Sequence, residues 1–195
     1  MFISSLIFSQ SSKSLIDSYI DSAREITNKY KDFEKGLFYI NKAIELDSNQ
    51  TRLYETKLRF QMSSKRFDSA LQTGYKLISL TKNKALYTSI VGLLLENKGD
   101  SIAAFKKYRN ADTMYRVWLD TLKTTETLYE FVLINRAMNL LFMREDSMAR
   151  KICVEYYEQY KKIKQPDWLN RIINLDRDYY LNLILGIRKE SQYLN

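Results

Sequence analysis

The sequence predicts an all-α fold, built as a stack of helix pairs. Three observations point to it. Five glycines and one proline in 195 residues are too few turn-formers for a β-sandwich or barrel. Apolar residues recur at intervals of three and four along most of the chain, which is the helical period. Short stretches of sequence also repeat at an interval of 34 residues, the length of a two-helix unit.

The elements follow from that repeat. Segments 17–50, 51–84 and 85–118 align without gaps. Gly36 then falls on Ala70 and Ala104, Leu37 on Leu71 and Phe105, Ala43 on Leu77 and Ala111, Phe33 on Phe67, and Leu46 on Leu80. The second helix of the first unit carries the stripe Phe33, Leu37, Ile40, Ile44, and that of the second carries Phe67, Leu71, Gly74, Ile78. Turns are expected at 47–50, 63–66, 82–84 and 97–100, with Gly99 closing one helix and Asp100 capping the next. Past residue 112 the phase breaks. Asp146-Ser147-Met148-Ala149 echoes Asp100-Ser101-Ile102-Ala103 at an offset of 46, so 113–123 is read as a continuation or an extra short helix. Residues 125–143 and 146–163 then form a fourth, diverged pair. Gln165-Pro166 restarts the chain, and the stripe Trp168, Ile172, Leu175, Tyr179, Leu183, Ile187 predicts a capping helix over the last unit. The expected organisation is a start segment 1–12, three repeats over 13–118, and a fourth pair with its cap over 119–195, packed as one continuous domain.

The third unit reads Val91-Gly92, Leu95, Gly99-Asp100, Ala104, Tyr108, Ala111. In this spacing of small and aromatic residues the chain resembles the tetratricopeptide repeat (TPR) family over about residues 15–118. Each small residue has a mechanical reason: Gly92 should meet the following helix near Ala104, and Ala111 should let the next unit sit close. The chain departs from the family pattern at Lys57-Leu58 and Ala23-Arg24, at Gly74, and at Ser48, Lys82 and Arg116, where a closing proline is common. The resemblance implies a right-handed superhelical stack of antiparallel helix pairs, an α-solenoid with a concave groove.

The chemistry available is narrow. There is no histidine and one cysteine, which removes histidine-based nucleophilic catalysis, an internal disulfide and a cysteine-cluster metal site. No glycine-rich phosphate loop occurs. Cys153 reads as a small buried hydrophobe. No enzyme activity, metal or cofactor is expected. The net charge of +8 is concentrated in residues 1–112, which hold 18 basic and 12 acidic side chains. That surplus motivates an alternative, a nucleic-acid-binding helical repeat. Against it, cations and acids interleave, as in Lys31-Asp32-Phe33-Glu34-Lys35, the pattern of a solvated helix face. No apolar run reaches the roughly 18 residues of a transmembrane helix. Residues 1–8 are apolar and Ser9-Gln10-Ser11-Ser12 follows, so residues 1–12 read either as the end of a secretory signal or as a frayed helix start. The compartment is accordingly cytoplasmic or exported.

The function expected is a non-catalytic protein–protein interaction scaffold. In a stack of helix pairs the first helices line the hollow side. The residues off the stripe that contacts the second helix are Ser18, Asp21, Glu25 and Asn28 in the first unit. They are Arg52, Glu55, Arg59 and Met62 in the second, and Leu86, Ser89, Leu93 and Glu96 in the third. Some members of the resembled family grip a peptide C-terminus with lysine and asparagine. The matching positions here hold Asp21 and Glu25, Thr56, and Leu86 and Ile90, so that clamp is not expected. Arg52 and Arg59 beside Leu86 and Leu93 would suit an extended segment with one acidic and one apolar anchor.

Overall fold

The chain is a succession of helices in a computed structural model that describes residues 2–161 and 185: α1 (Phe2–Tyr30), α2 (Phe33–Leu46), α3 (Thr51–Ser63), α4 (Phe67–Leu80), α5 (Lys84–Asn97), α6 (Ser101–Asp120), α7 (Thr127–Phe142) and α8 (Asp146–Tyr156). A π-helical turn, Tyr157–Lys161, extends α8. Among the described residues there is no strand, and no helix is long and apolar enough to cross a membrane. The contacts divide the chain into two compact units, Met1–Lys82 and Asn83–Asn195. In the first, α1 packs on α2, α2 on α3 and α3 on α4; in the second, α5 packs on α6, α6 on α7 and α7 on α8.

The 34-residue interval is built into these helices. α2, α4 and α6 begin at residues 33, 67 and 101. Gly36, Ala70 and Ala104 are therefore each the fourth residue of their helix, and all three are buried. Ala43, Leu77 and Ala111 are each fully buried. The same register turns inward three times, as a true repeat requires. The offset also holds in the turns. Lys31, Lys65 and Gly99 all adopt the left-handed conformation, with φ of 57°, 59° and 87°, and Arg144 does so in the fourth pair with φ 62°. After Lys65, Gly99 and Arg144 the chain closes in a Schellman motif: the N–H groups of Arg66, Asp100 and Glu145 donate to the carbonyls of Gln61, Leu95 and Leu140. Asp32 and Asp100 then cap α2 and α6, accepting from the N–H groups of Lys35 and Ala103 at 2.9 and 3.0 Å.

These turns carry a testable asymmetry. A side-chain-bearing residue in the left-handed region costs about 1–2 kcal/mol that glycine avoids. Nothing lies within 4 Å of a Cβ placed on Gly99, so only the backbone opposes a side chain there. Gly99→Ala should destabilise by about 1 kcal/mol, and Lys65→Gly should stabilise by about the same. Urea titrations of the two variants check both signs.

Helix α1 runs from Phe2, so no break sets residues 2–12 apart. α6 runs unbroken to Asp120, as the continuation read over 113–123 has it, and the contacts divide the chain at 82/83. Of the fourth pair, expected over 125–143 and 146–163, α7 spans Thr127–Phe142, and α8 with its π-helical turn is described as far as Lys161. The stripe Trp168, Ile172, Leu175, Tyr179, Leu183 and Ile187 and its capping role lie outside the described residues.

The first unit's core joins Ile16, Ile20 and Ala23 of α1 to Leu37 and Ile40 of α2 and Leu53 and Phe60 of α3. The second unit's core joins Ala111, Tyr115 and Leu119 of α6 to Val132, Ala137 and Leu141 of α7 and Ala149 and Cys153 of α8. Burial pushes the Cys153 thiol up to about 11. The folded chain therefore holds this proton above pH 9, where the unfolded chain releases it. Stability from this source is intact below about pH 9 and falls as pH rises through 11, by about 2–3 kcal/mol. Burial also raises the Tyr115 and Tyr157 phenols, which adds loss in the same direction above about pH 10. Denaturant titrations between pH 8 and 11 should show this decline, with its earliest part absent in Cys153→Ala.

Candidate functional site

The exposed side of α1 and α3 in the first unit carries most of the expected groove residues. Ser18, Asp21, Glu25, Asn28, Arg52, Glu55 and Arg59 are exposed, and Met62 is half-buried. The spacing of Asp21, Glu25 and Asn28 on α1 puts them on one face, and Arg52, Glu55 and Arg59 do the same on α3. Arg52 is not a free anchor, because its guanidinium meets Asp17 of α1 at 2.6 Å. That pair ties the first helices of successive repeats together. Arg66 is similarly engaged with Glu34 across α2 and the start of α4.

The third unit corrects the expectation. Ser89 and Leu93 are 5% and 1% exposed, so neither can line an open groove. Leu86 and Glu96 are half-buried. Glu96 accepts a hydrogen bond from the Tyr108 hydroxyl at 2.8 Å. The Ser89 hydroxyl donates to Asn139 Oδ1 of α7 at 2.7 Å. The reason is that α5 is buried on nearly all sides, with Ala85, Tyr87, Thr88, Val91, Gly92 and Leu94 also in the core. A helix that is apolar most of the way round is an interior helix, and the run Val91-Gly92-Leu93-Leu94-Leu95 was the signal for it. The proposed acidic-plus-apolar groove thus loses Leu93, and its basic half stands on α1 and α3 alone.

What the structure adds is a pocket of about 340 Å³ at the turn end of those two helices. Arg24, Thr27 and Asn28 of α1 line it, with Lys31 of the turn, Phe33 of α2, and Arg59, Phe60 and Ser63 of α3. Of these the sequence reading singled out Asn28 and Arg59. It missed Arg24, four before Asn28 and on the same face, and Lys31, in the left-handed turn that follows α1. It also missed Ser63, one turn after Arg59. The floor is apolar: the Phe33 and Phe60 rings lie 6.0 Å apart. The Arg59 guanidinium sits 5.7 Å from the centre of the Phe60 ring. A stacked guanidinium keeps its N–H edge available for a planar anion. No carboxylate lines this pocket among the described residues.

A larger cleft, of about 570 Å³, lies in the second unit. Arg116 and Arg136 line it beside Asp120, Glu155 and the rings of Tyr129 and Tyr156, which stack at 5.4 Å. Its arginines are already satisfied: both reach Asp112, at 3.2 and 2.8 Å. Volume favours this cleft, but its charges are matched internally, so it offers less to a charged ligand than the smaller pocket does.

Comparison with protein-family models, with curated proteins and with solved structures finds no match to this chain.

Proposed function

We propose that this protein is a non-catalytic interaction scaffold of tetratricopeptide-like repeats. In this reading the helix pairs run antiparallel and pile into a right-handed superhelical solenoid, and a peptide or protein segment lies along its first helices. The observation that carries the reading is the threefold recurrence of one register, in helix starts, buried small residues and left-handed turns. Repeats of this kind spend their chemistry on stacking and leave one helix face for recognition. The exposed face of α1 and α3 supports that role, since the side chains it presents to solvent are mostly polar.

The test is a selection of peptides from a random display library on the full chain. Recovered peptides should bind reproducibly as synthetic molecules, and Arg59→Glu should weaken them at least tenfold. Failure to enrich any peptide would count against the scaffold reading, and an unchanged affinity in Arg59→Glu would move binding off the α1–α3 face.

A further inference from the structure

The pocket between α1 and α3 has more charge than its helices need. Each of the two helix ends contributes about half a negative charge, which explains some cations nearby. Three are present. Arg24 shares its charge with Asp21, 3.9 Å away, and both are exposed. Among the described residues Lys31 and Arg59 have no ion-pair partner. Asp32 is held as the cap of α2 and does not line the pocket. The balance stays positive after the two helix ends and Asp21 are counted.

Neutral donors converge on the same place. Asn28 and Ser63 line the pocket with an amide and a hydroxyl. Lys31 stands in the left-handed turn, which places a cation where glycine would be less strained. Lys65 and Arg144 occupy the corresponding turns, so that placement alone is a repeat feature. What is particular to the first turn is its company: Arg59 stacked on Phe60, and Arg24 and Asn28 on the neighbouring helix.

We propose that this pocket is an anion subsite, which takes the carboxylate or phosphoryl group of an acidic residue in a bound peptide segment. The peptide part of this statement rests on the scaffold reading; the anion part does not. The volume of about 340 Å³ holds one acidic side chain with room for part of its neighbour. The Phe33 and Phe60 floor suits an apolar neighbour beside it. All the cations are exposed, so the affinity for a single anion is weak and screened by salt.

The experiment follows amide and arginine side-chain resonances of the full chain. Inorganic phosphate and free glutamate are titrated in turn, with chloride keeping the ionic strength constant. Saturable shifts should be confined to Arg24, Asn28, Lys31, Arg59 and Ser63, and phosphate against glutamate tells a phosphoryl from a carboxylate preference. Lys31→Glu and Arg59→Glu should each weaken saturation at least tenfold while resonances of α4 stay in place, which shows that the fold is kept. Unsaturating shifts spread over lysines of other faces overturn the subsite, whatever happens in the peptide selection. An octapeptide alternating glutamate and leucine should then shift the same residues at lower concentration than glutamate alone. If an octathymidylate does so at lower concentration than that peptide, the assignment to a peptide falls and the nucleic-acid alternative takes its place.

Discussion

Gly92→Val should destabilise the second unit by about 3 kcal/mol, the upper range for overpacking a core. A Cβ at Gly92 would stand 2.6 Å from Tyr108 Cε1 and 3.2 Å from the backbone oxygen of Ala104. Neither neighbour can yield easily. The Ala104 oxygen belongs to α6 itself. The Tyr108 ring is 1% exposed, its hydroxyl is bonded to Glu96, and it packs 5.6 Å from the Phe142 ring. Helix propensity pulls the other way, since replacing a helical glycine ordinarily gains up to about 1 kcal/mol. The clash should win because it involves backbone and a ring held on several sides. Thermal melts of wild type, Gly92→Ala and Gly92→Val should rank in that order of decreasing stability. A Gly92→Ala variant as stable as wild type would show that α5 and α6 can separate at little cost.

Asn139→Leu should cost about 2 kcal/mol, although leucine has nearly the same size. Asn139 is fully buried in α7. Its Oδ1 accepts from Ser89 of α5, and its Nδ2 donates to the Tyr108 carbonyl of α6 at 2.9 Å. One side chain thus pins three helices. Removing it takes the 2.7 Å acceptor from a buried serine hydroxyl, leaving it a longer contact to the Ala85 carbonyl at 3.3 Å, and loses the amide bond to Tyr108. Replacing both partners removes that hydroxyl. Ser89→Ala with Asn139→Leu should therefore be more stable than the sum of the single losses by about 1 kcal/mol, measured as a double-mutant cycle. Strict additivity would mean that the pair is not a coupled network.

Much of the architecture was legible because stacking repeats itself in the sequence. Gly36, Ala70 and Ala104 marked where the second helices open, and Gly92 marked its close approach to Ala104; both stand in the structure. Asp100 and Gly99 were readable as cap and helix stop because their chemistry is local. The turns at Lys31, Lys65 and Arg144 were less so, since a lysine or arginine gives no sign that it will take a positive φ. Only the 34-residue offset from Gly99 could have pointed to the first two. The site was half legible. Phase alone placed α1 and α3 residues on an open face, and all but the half-buried Met62 are exposed. The same phase failed on α5, because α7 adds a second buried side to that helix, as the Ser89–Asn139 bond shows. Nor could phase reveal that Asp17 occupies Arg52, a contact between residues 35 apart. The pocket depended on such distant pairs, joining the ends of two helices whose sequence separation hides their proximity.

The first-helix face of unit one is the proposed recognition surface. The most direct measurement is a map of amide shifts on the full chain when a peptide recovered by selection is bound. Shifts should concentrate on α1 and α3, at Asp21, Glu25, Asn28, Glu55 and Arg59, and vanish with Arg59→Glu. A map centred on the exposed side chains of the second helices, Phe38 of α2 and Tyr75 of α4, would contradict it.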